Sequence, residues 1–373
     1  MQEIKELIYG QLSSDSPFLS IVDKVFAGER LNRSEGLLLY KEAELSLLGL
    51  LAEVVRRRVN GLQVTFNHNF HFEPTNICMK SCAFCSYKRR YNEDGAWEEG
   101  IDELRQAVRK YKARGVTEIH ITGGVHPQRG LEYYKAMVEA IKEEFSELHV
   151  KAFSAVEIEA MCKISGVSFL EGLQALKEAG LGSIPGGGAE IFDEEVRKQI
   201  CPDKATSQQW LEIHQTAHEL GMMTNATMLY GLIENYEHRL DHMERLRTLQ
   251  DKTGGFNTFI PLKFRRANNA FSHIEESTTT EDLRNYAVSR IYLDNIPHLK
   301  AYWPMIGKEV AQLSLSYGVD DLDGTIDDST KIYSMAGGVQ NPNATTQELI
   351  TMIEDAGKEA AERDTLYNIL KRY

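Results

Sequence analysis

The sequence is short of basic residues and cysteines, and it has no long apolar run. Acidic residues outnumber basic ones by 55 to 42, which gives a formal net charge of −13 and argues against non-specific binding to nucleic acid or anionic membranes. No stretch of about 18 apolar residues is present, and residues 1–10 lack the basic-then-apolar plan of a signal peptide. We therefore expect a cytoplasmic protein with no membrane insertion, in which thiols stay reduced.

Three of the five cysteines nevertheless lie within eight residues, in the order C-x3-C-x2-C: Cys78, Cys82 and Cys85. Thiolates this close can converge on one metal centre, and sulfur ligands select zinc or iron–sulfur clusters over hard cations. A four-iron cluster with three protein ligands keeps one iron open, which suits catalysis. A structural zinc site completed by His68 or His71 is the alternative. Cys162 and Cys201 stand alone, and we expect core or surface thiols there.

Strand-like and helical stretches alternate from residue 63 onward. About eight strands separated by helices predict a (β/α)8 barrel of the TIM type. An open Rossmann-type sheet is the structural alternative, but no G-x-G-x-x-G follows the first strand. We predict an N-terminal helical extension over 1–61, the barrel over 62–328, and a C-terminal helical segment over 329–373, with a final helix at Thr346–Lys358.

Loops that follow the strands share one face of such a barrel, where active sites are built. The cysteine loop follows the first predicted strand, Gly123-Gly124 follows the second, and the run Gly186–Gly188 follows the fourth. These three segments should therefore meet at one mouth. This convergence is the main argument that the cysteines form a catalytic centre.

Polar residues near the strand ends are candidates for ligand binding. Ser154 and Glu157 follow the third strand, where a carboxylate could hold an ammonium or ribose hydroxyl, or simply cap a helix. Glu190 lies beside the triple glycine, in a binding or a surface position. Asn225 and Thr227 belong to the fifth strand and either contact a ligand or form a hydrogen-bonded barrel core.

An anionic substrate would require basic or polar groups at the mouth. Arginine binds carboxylates through two hydrogen bonds, and histidines lie near the ends of the first two strands. An acidic strand end near residue 320 could bind hydroxyls, an amine, a cation or solvent. The predicted substrate-binding residues are His71, His126, Gly187, Glu190, Arg265 and Asp320.

The cysteine spacing, with an aromatic residue before the last cysteine, resembles the signature of the radical S-adenosylmethionine (SAM) enzymes. From Phe70 to about Asp328 the chain resembles the branch of that superfamily that serves the menaquinone and deazaflavin pathways, with aminofutalosine synthases as the most similar group. The segments that carry the resemblance are EPTNICMKSCAFCSY, ITGGVHP, KAFSAVEIE, GSIPGGGAEIFDEEVRKQICPDK, TNATMLYG, LQDKTGGFNTFIPLKF and DDLDGT. The sibling dehypoxanthine futalosine cyclase and the deazaflavin-precursor synthase stay open as alternatives, and a non-catalytic zinc-stabilised barrel is a remote one.

The resemblance implies a 4Fe–4S cluster on the three clustered cysteines and SAM as a cosubstrate. It implies addition of a 5′-deoxyadenosyl radical to the enol-ether double bond of 3-(1-carboxyvinyloxy)benzoate, a small aromatic carboxylate. Rearrangement and loss of the carboxyl group would then give 6-amino-6-deoxyfutalosine. An electron donor such as flavodoxin or ferredoxin is also implied. The expected SAM-binding residues are Phe84, Tyr87, Gly123, Gly124, Ser154, Glu157, Asn225 and Thr227.

Overall fold

The computed structural model describes residues 2–324, 331–340 and 342–373. Helices occupy most of the first sixty residues, as the sequence predicts: α1 (Gln2–Gln11), α2 (Leu19–Ala27), α3 (Arg33–Glu42) and α4 (Leu45–Asn60). Helix α3 begins with a capping box between Asn32 and Glu35. Helix α4 carries Arg57 and Arg58 in its last turn, which suits the negative end of the helix dipole.

The barrel strands are β1 (Gln63–Phe66), β2 (Asn69–Phe72), β3 (Glu118–Ile121), β4 (His149–Ala152), β5 (Thr224–Tyr230), β6 (Phe256–Lys263), β7 (His298–Ala301) and β8 (Asp321–Leu322). Parallel pairing joins β2, β3 and β4 in one sheet, and β5, β6, β7, β8 and β1 in another. Single bridges from Lys151 to Ser183 and from Ile184 to Thr224 connect the two sheets. The first predicted strand is split into β1 and β2, and the predicted fourth strand is reduced to the bridging residues Ser183 and Ile184, so the ring has the eight positions of a (β/α)8-type barrel.

The helices that alternate with the barrel strands are α5 (Ile101–Lys112), α6 (Leu131–Glu144), α7 (Ala155–Ser165), α8 (Phe169–Ala179), α9 (Glu194–Ile200), α10 (Ser207–Glu219), α11 (Tyr236–Thr253), α12 (Thr279–Tyr292), α13 (Trp303–Ile306) and α14 (Lys308–Ser314). Strand β5 is buried along its whole length, as expected for a parallel strand covered on both faces. Among the described residues, no helix is both long and apolar enough to cross a lipid bilayer.

The C-terminal segment contains the predicted helix, α15 (Thr346–Asp355), followed by a hairpin of β9 (Glu359–Arg363) and β10 (Ile369–Arg372) that the sequence did not predict. Strand β9 pairs in parallel with β1 and antiparallel with β10. Its sequence, Glu-Ala-Ala-Glu-Arg, consists of good helix formers, and tertiary pairing overrides that weak local preference. The predicted domain boundary at residue 328 lies outside the described residues.

The connection between β9 and β10 covers the amino ends of the barrel strands. Arg363 donates two hydrogen bonds to the Asp321 carboxylate, at 2.8 and 2.6 Å. Thr365 donates to Glu118 at 2.7 Å, and the Tyr367 ring stacks on His298 with centroids 3.8 Å apart. Side chains at the starts of three strands therefore contact this hairpin, and the opposite end of the barrel carries the cavity described next.

Candidate active site

A cavity of about 260 Å³ lies at the carboxyl ends of the strands. The cysteine loop, the Gly123-Gly124 turn and the Gly186–Gly188 run all line it. The predicted meeting of these three segments is therefore seen in the structure. It follows from the barrel geometry, because parallel strands deliver their following loops to the same face.

The cysteine loop is held against the end of β3 by backbone contacts. The Met79 amide donates to the Val125 carbonyl at 2.8 Å, and the Val125 amide donates to the Cys78 sulfur at 3.4 Å. A Cβ atom on Gly124 would lie 2.3 Å from the Ile77 carbonyl oxygen. Glycine at position 124 is therefore required for the loop to pack this closely.

The three thiols of this loop face the cavity together. Burial raises the pKa of Cys78 above its ordinary value and that of Cys82 to about 12, although nearby Lys204 opposes both shifts. Such thiols need a strong positive partner to become thiolates, and iron supplies one when it replaces the proton. Three sulfur donors share one cavity wall, with Cys82 buried and Cys78 and Cys85 half-buried, and they fit a 4Fe–4S cluster with one open iron.

The histidines of the zinc alternative have other partners. His68 does not line the cavity, and its Nε2 atom lies 2.8 Å from the Thr346 hydroxyl. The His71 Nε2 atom lies 3.9 Å from Asp323. Across the part of the chain that the structure describes, no cluster of three or more His, Cys, Asp or Glu side chains is arranged to hold a single metal ion.

Seven of the eight residues expected to bind SAM line the cavity: Phe84, Tyr87, Gly123, Gly124, Ser154, Asn225 and Thr227. The Thr227 hydroxyl donates to the Gly186 carbonyl at 2.6 Å and so fixes the glycine run against β5. Ser154 is the N-cap of α7. These residues line the cavity, as residues that bind SAM would, and their contact with SAM stays a prediction.

Glu157 is the exception, because it lies behind the cavity wall rather than on it. Its carboxylate accepts hydrogen bonds from the Ser154 amide and hydroxyl, from the Thr122 hydroxyl at 3.1 Å and from the Gly123 amide at 3.2 Å. Burial raises its pKa to about 7, against these hydrogen bonds. Glu157 thus ties the end of β3 to the start of α7, which is the capping role that the sequence left open.

The structure brings four of the six predicted substrate residues to the cavity: His71, Gly187, Glu190 and Arg265. Glu190 forms a buried ion pair with Lys204 and has a positive φ of 49°. Arg265 contacts Glu276 at 3.1 Å. Both charged side chains therefore already have protein partners, and their contact with substrate stays a prediction.

His126 and Asp320 are not brought to the cavity. The His126 Nε2 atom lies 3.2 Å from Glu98, and burial lowers its pKa. Asp320 precedes β8, so it lies at the amino end of the barrel, where it pairs with Arg290 and lies 2.5 Å from His298. The acidic residue of this segment that does line the cavity is Asp323, beyond the carboxyl end of β8.

Sequence reasoning missed several basic residues of the cavity wall. Among the described residues, seven basic side chains line the cavity against two carboxylates, Glu190 and Asp323. The basic ones are Lys80, Lys88, Lys151, Lys204, Lys263, Arg265 and Lys300. A signal was present for Lys151 and Lys300, since a lysine within a short apolar strand is costly to bury unless it is paired or functional.

The chain matches two family models: the radical SAM superfamily over residues 72–246 and the CofH/MqnC C-terminal region over residues 253–372. It is 48% identical to an aminodeoxyfutalosine synthase of Thermus thermophilus, over 95% of this chain and 96% of that protein. It is 43% identical to an aminodeoxyfutalosine synthase of Streptomyces coelicolor, over 94% of this chain and 93% of that protein. The cyclic dehypoxanthine futalosine synthase of the same organism is 38% identical, over 94% of this chain and 88% of that protein.

Solved structures support the fold. Methylornithine synthase matches with a TM-score of 0.72 at 17% identity, over 91% of this chain and 96% of that one. The FeFe-hydrogenase maturase HydG from Carboxydothermus hydrogenoformans matches with a TM-score of 0.73 at 18% identity, over 98% of this chain and 86% of that one. The predicted barrel and the predicted resemblance are both confirmed. Near full-length relatives and family models agree, and the chain belongs to the radical SAM superfamily of enzymes, whose cofactors are a 4Fe–4S cluster and SAM.

Proposed function

We propose that this protein is an aminodeoxyfutalosine synthase, which joins the adenosyl part of SAM to 3-(1-carboxyvinyloxy)benzoate. The observation that carries the proposal is the 48% and 43% identity, over nearly the full chain, to two enzymes of that name. Identity to the sibling cyclic dehypoxanthine futalosine synthase is lower, at 38%. The product is 6-amino-6-deoxyfutalosine, with release of methionine and of the substrate carboxyl group.

Cys78, Cys82 and Cys85 hold the cluster in this proposal, since their sulfurs share one wall of the cavity. When bound, the cluster and SAM supply a 5′-deoxyadenosyl radical. The protein's own contribution is to orient the alkene beside that group and to keep water and other hydrogen donors away. Apolar side chains on β5 and β6, including Leu229, Ile260 and Leu262, line the cavity and provide a surface against which an aromatic ring can pack.

The basic side chains of the cavity wall suit the substrate, which carries two carboxylates. Basic side chains line the wall although the chain as a whole has a net charge of −13. Most of these side chains are paired with carboxylates, as Lys151 is with Glu118 and Lys263 with Asp282, so what they offer an anion is hydrogen-bond donors at the wall. We further propose that the enzyme works in the cytoplasm and receives its electron from a carrier such as flavodoxin or ferredoxin.

The test is an anaerobic assay of the reconstituted enzyme with dithionite, SAM and the carboxyvinyloxybenzoate, read by mass spectrometry. We expect a product that contains the adenosyl group, together with one methionine for each product. If only free 5′-deoxyadenosine and methionine form, the radical chemistry stands and the proposed substrate is wrong. Conversion of dehypoxanthine futalosine instead would identify the sibling cyclase.

A further inference from the structure

A row of polar side chains crosses the inner wall of the barrel below the cysteine loop. The strand register pairs His71 on β2 with His120 on β3, and His120 with Lys151 on β4. On the other side, Lys300 on β7 pairs with Asp321 on β8. His71, His120, Lys151 and Lys300 all line the cavity. They belong to strands rather than loops, so they form its deep end, with the cysteines at its mouth.

The two lysines of this row are almost fully enclosed by protein. Lys151 is 4% exposed and Lys300 is 2% exposed. The Lys151 ammonium lies 2.5 Å from Glu118, and the Lys300 ammonium donates to Asp323 at 3.2 Å. Each ammonium has three N–H donors, so each retains donor capacity beyond these contacts.

Arg363 pairs with the carboxylate that lies next to Lys300 at the deep end of the cavity. From the C-terminal hairpin, Arg363 donates hydrogen bonds to both carboxylate oxygens of Asp321. Lys300 lies 3.4 Å from the same carboxylate. Arg363 is therefore the main partner of Asp321, and Lys300 is available to share its charge between Asp323 and a ligand. The His120 Nε2 atom is buried and has no hydrogen-bond partner among the described residues.

We propose that Lys151 and Lys300, together with His120, bind the ring carboxylate of the aromatic substrate at the deep end of the cavity. The inference rests on the proposed function, since it assigns one of that substrate's two carboxylates. Charge-assisted hydrogen bonds to a carboxylate are the strong ones, and a site enclosed by protein strengthens them. Binding of the ring carboxylate here directs the enol-ether end of the substrate toward the mouth, where the cysteines lie.

The test is equilibrium binding of substrate to the oxidised, cluster-loaded enzyme with SAM and no reductant, so that binding is measured without turnover. We expect Lys300→Met and Lys151→Met each to weaken substrate binding by about 10- to 100-fold, as for loss of a hydrogen bond to a charged group. 2-Phenoxyacrylate, which lacks the ring carboxylate, should bind the wild type weakly and bind both variants with nearly the affinity it has for the wild type. SAM binding and iron content should be retained.

A matched control is Lys358→Met, which removes a largely buried ammonium that pairs with Glu53 at 2.8 Å, away from the cavity. It should leave substrate affinity unchanged. A comparison of two ligands on the wild-type enzyme does not depend on whether a variant folds. Moving the ring carboxylate of the substrate from the meta to the para position should weaken binding to the wild type by at least tenfold. Equal wild-type affinity for the substrate, 2-phenoxyacrylate and the para isomer would overturn the carboxylate site.

The two proposals fail in different ways. If the wild type converts the carboxyvinyloxybenzoate but does not discriminate against 2-phenoxyacrylate, the enzyme assignment stands and the carboxylate site is wrong. If the wild type neither binds nor converts the carboxyvinyloxybenzoate while it still cleaves SAM, the proposed function itself fails, and the carboxylate site fails with it.

Discussion

At the scale of single residues, side chains of one chemical type have different roles according to where the fold places them. Cys78, Cys82 and Cys85 line the cavity, whereas Cys162 is buried in the hydrophobic core. Glu190 lies on the cavity wall and Glu157 lies behind it. Sequence spacing distinguished the three clustered cysteines from Cys162, because three cysteines in eight residues share one loop. It could not predict which glutamate lines the cavity, because burial and hydrogen-bond partners depend on neighbouring strands.

Replacing Cys82 by alanine should remove both the cluster and turnover, because a buried thiolate on the cavity wall is lost. Iron content and visible absorbance after anaerobic reconstitution measure the cluster, and product formation measures turnover. Cys162→Ala is the matched control, since it removes a buried thiol on α7 that does not line the cavity. Normal iron content and activity in the Cys82 variant would contradict the assignment of this residue.

Glu157 should make the protein less stable as the pH rises. Its pKa in the folded protein is about 7, above the ordinary value of 4.5, so the folded state holds a proton that the unfolded state releases between these values. The stabilisation is complete below about pH 4.5 and is lost as the pH rises through 7, on the order of 3 kcal/mol in total.

Urea unfolding at pH 5.5 and pH 8 checks this prediction. The wild type should lose more stability over that interval than Glu157→Gln, whose side chain does not titrate. Glu171→Gln is the matched control, because Glu171 forms the same capping box on α8 in an exposed position where its pKa is lowered. Identical pH dependence in the wild type and Glu157→Gln would show that the carboxyl stays ionised throughout.

At the scale of elements, the cysteine loop depends on the turn that follows β3. The sequence predicted that Gly123-Gly124 would lie near the cysteines, since both follow neighbouring strands. It did not show that Gly124 packs against the backbone of the cysteine loop itself. That contact depends on how the chain turns after β2, which local sequence does not specify. The hairpin of β9 and β10 was missed for the related reason that its pairing partner, β1, is distant in sequence.

Gly124→Ala should displace the cysteine loop and reduce cluster incorporation, because the new Cβ atom would lie 2.3 Å from the Ile77 carbonyl oxygen. Overpacking of this kind costs about 1–3 kcal/mol. Iron content per chain after reconstitution is the measurement. Gly10→Ala is the control, since a Cβ atom at Gly10 in α1 meets no neighbour within 4 Å. Full iron content in both variants would mean that the loop adapts without cost.

At the scale of the whole molecule, buried charges connect the two ends of the barrel. Arg363 of the C-terminal hairpin pairs with Asp321, which lies 3.4 Å from Lys300 on the cavity wall. The barrel fold could be predicted from the alternation of strands and helices. This ionic network could not be predicted, because it depends on how the side chains of three strands, β7, β8 and β9, meet in the folded barrel.

Arg363→Leu should destabilise the protein by about 3–5 kcal/mol, because it leaves the buried Asp321 carboxylate without its main partner. Arg372→Leu, on the exposed strand β10, should change stability by less than about 0.5 kcal/mol. The urea concentration at the unfolding midpoint, measured for each of the two variants, tests this difference in stability. Equal midpoints would show that Lys300 alone compensates the Asp321 charge.

The pairing of β1 with β9 also has a consequence for synthesis on the ribosome. Thr65 on β1 lies opposite Ala361 on β9, so this ladder closes only after translation has passed residue 361. Contacts of such long sequence separation form slowly, and unpaired strand edges favour aggregation until they do. The first strand of the barrel therefore stays incompletely paired until β8 and β9 have been made, and protection by chaperones is most valuable during that interval.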